Sequence, residues 1–156
     1  FLLEVMSQHW DDPDLRLVLL GGAGSADRGI EAKIASLGLE RRVIRTGRVP
    51  AAHRDGFLAL AEAMVFPSEY EGFGAPVVEA MALGTPVIAA DQPAVAEVVG
   101  NAGIVLPRDS DAWAGALDDV GARRKELVAA GRRRSADFTA ERSGAALVSA
   151  YRRALE

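Results

Sequence analysis

Two glutamates, Glu71 and Glu79, lie eight positions apart in PSEYEGFGAPVVEAMALGTPVIAAD (67–91), on either side of a Gly72-Phe73-Gly74-Ala75-Pro76 turn. Paired carboxylates can move protons, and they can also accept pairs of hydrogen bonds from the vicinal hydroxyls of a sugar or ribose. The residues between them narrow the choice. Pro76 suits the first turn of a helix, because the amide it lacks would have no intrahelical partner there. A helix starting at that point and running through VVEAMALG leaves the amides of Phe73, Gly74 and Ala75 free to meet an anion. Glu79 then falls about one turn inside the helix and Glu71 on the loop before it, so a ligand lying across the helix N-terminus meets both. Spacing alone favours the plainer reading, a solvated Glu71 and a Glu79 drawn to the positive end of the helix dipole.

Other residues with chemical potential are simpler to place. Gly21-Gly22-Ala23-Gly24 follows the apolar run LVLL, and it serves either close approach to a ligand or a strand-to-helix connection with positive φ. From Gly22 the chain gives G-A-G-S-A-D, with Asp27 where a dinucleotide fingerprint needs its third glycine, which weakens an NAD-dependent dehydrogenase reading. Asp12-Pro13-Asp14 spells D-x-D but precedes its strand, as a solvated turn does. His9 and His53 have no ligand spacing, and His53, beside Arg54, reads as an exposed residue at a helix start. Cysteine is absent, which excludes disulfides, thiolate metal sites and a cysteine nucleophile. No metal is expected. Arg123, Arg124, Lys125 and the run Arg132 to Arg134 read as solvated helix faces, with contact to an anionic membrane as the alternative.

The elements that must hold these residues alternate along the chain. Phe1 to Trp10 has helical periodicity, and LRLVLLGG at 15–22 is a buried strand entering a glycine turn. A helix follows to about Leu37, capped by Ser25 or Asp27 and ended by Gly38. Next come a strand at 42–46, a helix from Pro50 to about Glu62, a strand at 63–67 and the helix at 75–83. The strand PVIAA, a helix at 93–99 and the strand GIVLP complete the alternation. From Asp109 the pattern is helical, with Asp109 or Ser110 as first cap, Gly131 as a break and Thr139 opening the last segment. Strands joined by such helices form a parallel sheet covered on both faces, a doubly wound α/β domain.

Composition agrees with a single domain over 1–156: the chain is 49% hydrophobic and 26% charged, enough for a sizeable core. A net charge of −4 and a pI near 5.3 supply no attractive field for nucleic acid, so no nucleic-acid partner is expected. No run approaches the roughly 20 apolar residues of a membrane span, and no charged-then-apolar leader opens the sequence. A cytoplasmic protein is the expectation, with a peripheral place at the inner membrane face if the basic runs are used. Sixteen arginines against two lysines, Lys33 and Lys125, suit a GC-rich bacterial genome.

The whole string P-S-E-Y-E-G-F-G-A-P-V-V-E-A-M-A-L-G-T-P-V-I-A-A-D resembles the nucleotide-sugar motif of retaining glycosyltransferases of family 4 (group 1), which have the GT-B fold. LRLVLLGGAG and VIRTGRVP match that family's order of strands and turns, so the resemblance runs from Phe1 to about Pro107 and covers the C-terminal, donor-binding domain. It implies that Glu79 binds the ribose hydroxyls and that Glu71, the candidate catalytic residue, binds the hexose. Gly72 and the amides of Phe73, Gly74 and Ala75 would meet the sugar and the diphosphate. Val49 matches a position whose backbone contacts the base, and Arg54 one where a basic side chain helps. The implied reaction is metal-independent transfer of a hexose from a nucleoside diphosphate sugar to a glycan, lipid or small-molecule acceptor. The nucleotide sugar is a substrate, and no cofactor is expected. Alternatives are a noncatalytic nucleotide-sugar-binding module, or a GT-B relative such as a nucleotide-sugar epimerase or phosphorylase.

In the family, a strand bearing an Arg and a Lys that grip the diphosphate precedes the helix with which this sequence opens. That strand is central in the sheet order 3-2-1-4-5-6, so the strands at 15–21 and 63–67 are expected to lose their shared neighbour. The sequence is accordingly expected to be part of a longer two-domain glycosyltransferase, partnered by an N-terminal acceptor domain of the same protein and inactive by itself.

Overall fold

Short apolar runs closed by Gly or Pro become strands and the periodic segments between them become helices in the computed structural model, which describes residues 1–22, 24 and 27–155. In order these are α1 (Leu2–Gln8), β1 (Leu17–Leu20), α2 (Asp27–Ser36), β2 (Val43–Gly47), α3 (Ala51–Leu60), β3 (Met64–Phe66) and α4 (Ala75–Leu83). There follow β4 (Val87–Ala90), α5 (Pro93–Val99), β5 (Ile104–Leu106), a 3-10 turn at Asp111–Trp113, α6 (Ala116–Ser135) and α7 (Ala140–Ala154). The expected elements are all present, several of them one to three residues shorter. Of the two expected caps of α2, Ser25 lies outside the described residues, and Asp27 is the first helical residue.

All strand pairings among the described residues are parallel, and they form two sheets. β1 pairs with β2, and β4 lies between β3 and β5. The anticipated separation of β1 from β3 is therefore seen: neither is bonded to the other. β4 shows why the fold is doubly wound. Its four residues are buried, and they alternate between two apolar cores. Ile88 and Ala90 join α1, α2, the 3-10 turn and α6 through Val5, Met6, Ile34, Trp113 and Leu127, whereas Val87 and Ala89 join α3, α4 and α5 through Leu58, Val77, Met81 and Val95. Period-2 side chains on a strand apolar throughout must bury both faces, and helices on each side do so.

The helical tail corrects two expectations. Gly131 does not break a helix: α6 runs through it, and Gly131 is buried where α6 crosses α4, so a Cβ there would lie 3.3 Å from Met81 Cγ. A small residue lets the helices approach, which outweighs the modest helix cost of glycine. The basic residues are also not all solvated faces. Arg124 donates to the Glu62 carbonyl at 2.6 Å just beyond α3, and Arg134 donates to the Val98 and Glu97 carbonyls at 3.0 and 2.7 Å. These cations satisfy orphan carbonyls at helix C-termini, where the dipole favours them. Asp109 and Thr139 act as caps as expected, accepting from Ala112 N at 3.2 Å and Arg142 N at 3.2 Å. Among the described residues no helix is long and apolar enough to cross a membrane.

Candidate functional site

Loops that follow parallel strands leave from the carboxyl ends of those strands, and the candidate residues lie on such loops or in the helices that start after them. Val49 follows β2, Arg54 is in the first turn of α3, and 67–74 connect β3 to α4. The turn itself is set by backbone. Gly74, the N-cap of α4, has φ 87° and ψ 45°, a left-handed conformation in which an L side chain is strained. Its carbonyl accepts from Val77 N at 2.9 Å and starts the helix, with Pro76 in the first turn as expected. Among the described residues, the amides of Phe73, Gly74 and Ala75 donate to no protein group. Three consecutive free donors at the N-terminus of α4 make an anion-binding arrangement.

The two glutamates stand on opposite sides of this turn and are held differently. Ser68 Oγ donates to Glu71 Oε1 at 3.0 Å, and Gln92 Nε2 donates to the Glu71 carbonyl at 3.3 Å. Gln92 is at the same time the N-cap of α5, its Oε1 accepting from Val95 N at 3.0 Å. Glu79, on α4, faces Arg54 of α3, with Oε2 3.5 Å from Nη1. Arg54 is oriented by Asp55, whose Oδ1 accepts from Nε at 3.0 Å and Nη2 at 2.9 Å. The Asp55 hydrogen bond, with the Glu79 charge behind it, raises the guanidinium further above its already high pKa. Both Arg54 and Glu79 are about 40% exposed, so the pair remains open to a ligand.

More of the loop is fastened by residues with no sequence signal. Arg108, just beyond β5, donates from Nε to the Pro67 carbonyl at 3.2 Å and pairs with Glu69 at 2.5 Å. Phe138, between α6 and α7, meets the Phe73 ring edge-on with centroids 5.5 Å apart. Gln92 was the readable one, since Pro93 at the first position of α5 makes the preceding residue an N-cap candidate. Val49 is half-buried in its loop, and His53 is exposed in α3 as expected. Asp12 Oδ1 accepts from Asp14 N at 2.8 Å, so the D-x-D segment is an Asx turn among exposed residues.

The family model described as "Glycosyl transferases group 1" matches residues 1–122, which include β1 to β5 and both glutamates. The chain belongs to that family. Its fold is that of the C-terminal GT-B domain of group 1 glycosyltransferases. Over 133 residues this chain is 38% identical to the MMP alpha-(1->4)-mannosyltransferase of Mycolicibacterium hassiacum, covering 80% of itself and 32% of that protein. Its structure matches sucrose-phosphate synthase from Thermosynechococcus elongatus with a TM-score of 0.84 and 30% identity, over 99% of this chain and 41% of the other. It also matches Anabaena Alr3699/HepE, solved in complex with UDP-glucose, with a TM-score of 0.73 and 26% identity over 86% and 38% of the two chains. The chain thus spans about a third of the length of the curated relative.

Proposed function

We propose that this chain is the donor-binding lobe of a retaining, metal-independent glycosyltransferase that moves a hexose from a nucleoside diphosphate sugar to an acceptor held by an N-terminal domain of the same protein. One observation carries the reading: three free amides, of Phe73, Gly74 and Ala75, at the N-terminus of α4 with a carboxylate on each side. The UDP-glucose complex of the similar Anabaena protein and the mannosyltransferase relative support a sugar nucleotide as the ligand.

In this reading Glu79 accepts hydrogen bonds from the ribose hydroxyls and Glu71 from the hexose, with the Gly72–Ala75 segment under the diphosphate. Val49 offers its backbone to the base. As the bond between sugar and phosphate breaks, negative charge grows on the departing diphosphate. Amides already fixed at a helix end stabilise that charge without reorganising, and the α4 dipole acts in the same direction. Arg54, held by Asp55, adds a cation beside Glu79 on the nucleotide side. Glu71 positions the hexose through its Ser68 and Gln92 tethers rather than exchanging a proton. No metal enters this scheme, and we assign the protein to the cytoplasm.

Titration calorimetry of UDP-, GDP- and ADP-sugars against the full-length protein tests the reading. One of the donors is expected to bind, and Glu71→Ala or Glu79→Ala to weaken it roughly ten- to a hundredfold, the worth of a lost hydrogen bond to a charged group. Unchanged binding and turnover in both variants would overturn the assignment.

A further inference from the structure

The loops of the candidate site come from the strand ends, yet one contact reaches it from the end of the domain. Phe138 lies in the short connection between α6 and α7, 65 positions after Phe73, and their rings meet edge-on at 5.5 Å with planes 73° apart. The Phe138 ring is fixed from several sides. It packs on the core that contains Val77, Val95 and Val98, and the Arg134 guanidinium lies 4.7 Å from its centroid. Arg134 is in turn anchored on the Glu97 and Val98 carbonyls at the end of α5 and pairs with Asp137 at 3.4 Å. Phe73, in contrast, is 45% exposed and sits between two glycines. Gly72 and Gly74 have no side chains, so the Phe73 ring is what can fix the Gly72–Gly74 segment against the body of the domain.

We propose that Phe138 is a positioning residue for the donor: by holding the Phe73 ring it sets where the Phe73 and Gly74 amides point, and it ties that geometry to the α6–α7 connection through Arg134. This rests on the function proposed above. Donor affinity is the sensitive quantity, because a misplaced amide loses its hydrogen bond while the fold around it stays intact.

The test uses the full-length protein, with UDP-glucose, GDP-mannose and ADP-glucose as calorimetric probes and thermal melts as the check on folding. Phe138→Leu keeps apolar contact with the core but removes the ring, and it serves if Phe138→Ala does not fold. The expected result is a donor Kd about three- to tenfold higher in Phe138→Leu, the range of an aromatic pair. Phe138→Tyr restores the wild-type value, and Phe138→Leu adds nothing in a Phe73→Ala background, since coupled residues are not additive. A wild-type Kd in Phe138→Leu, or an equal loss with and without Phe73, overturns the positioning role. A wild-type protein that binds none of the UDP-, GDP- and ADP-sugars overturns the functional reading and this inference with it.

Discussion

The Glu79 carboxylate does not stand alone in the site. Arg54 Nη1 is 3.5 Å away and is itself steered by Asp55, so α3 and α4 present an ordered pair of opposite charges side by side. A ligand with hydroxyls for the one and partial negative charge for the other fits both. A similar pairing beside Phe138, in the α6–α7 connection, gives a pH-dependent prediction. Asp137 accepts a hydrogen bond from Arg142, which is the main cause that holds its carboxyl below the usual carboxylate range, with Arg134 contributing less. A value depressed in the folded state means that the pair stabilises the fold above the unfolded-state pKa, and that this is lost as pH falls through the folded-state pKa. Arg142→Ala should therefore lower the melting temperature slightly at pH 7 and not at all once Asp137 is protonated. Melts of both proteins from neutral to acid pH check this, and a deficit that persists unchanged into acid contradicts it. The effect is small because the groups are exposed.

At the scale of elements, the glycines separate close packing from spare freedom. Gly103, just before β5, has no room for a side chain: a Cβ there would lie 2.8 Å from Val99 Cγ1 and 2.9 Å from the Val87 carbonyl oxygen. Backbone cannot yield as a flexible side chain can, so Gly103→Ala should destabilise by about 1–3 kcal/mol. Gly121 is the opposite case, an exposed position inside α6 with no atom within 4 Å of an added Cβ. Gly121→Ala should stabilise by about 0.5–1 kcal/mol through helix propensity and the unfolded chain's lost entropy. In a domain of this size each kcal/mol moves the melting temperature by about 2–4 °C, so the two variants should shift it in opposite directions. The tail helices also change role when seen packed. α6 buries Val120 and Leu127, and its arginines close the ends of α3 and α5.

At the scale of the whole molecule, the sheet is in two parts, and its protection should follow. β4 is bonded on both sides, by β3 and by β5, whereas β1 pairs with β2 alone and β3 with β4 alone among the described residues. Backbone amides in Val87–Ala90 should exchange with solvent most slowly, and those of Leu17–Leu20 and Met64–Phe66 faster, because local opening is easier where a strand has one neighbour. Hydrogen exchange of residues 1–156, read by mass spectrometry, checks this. Equal protection in β1, β3 and β4 would show that the edges of β1 and β3 are covered.

Most of the architecture was legible in the sequence, because apolar runs and helical periodicity are local and each carries its own period. The strands and helices, with the helix start at Ala75, came from patterns local to the chain, whereas the separation of β1 from β3 and the roles proposed for Glu71 and Glu79 came from the resemblance of the whole string to a known family. What the sequence could not show depends on contacts across it. Gly131 looked like a break until α4 was seen against it, and the arginine runs looked solvated until the carbonyls beneath them were in place. Ser68 at Glu71 is a short-range contact, but Gln92 at Glu71, Arg54 at Glu79 and Phe138 at Phe73 join positions 21, 25 and 65 apart. The motif was thus set by sequence, and the way it is held was decided only by folding, since a side chain has no partner until the chain brings one to it.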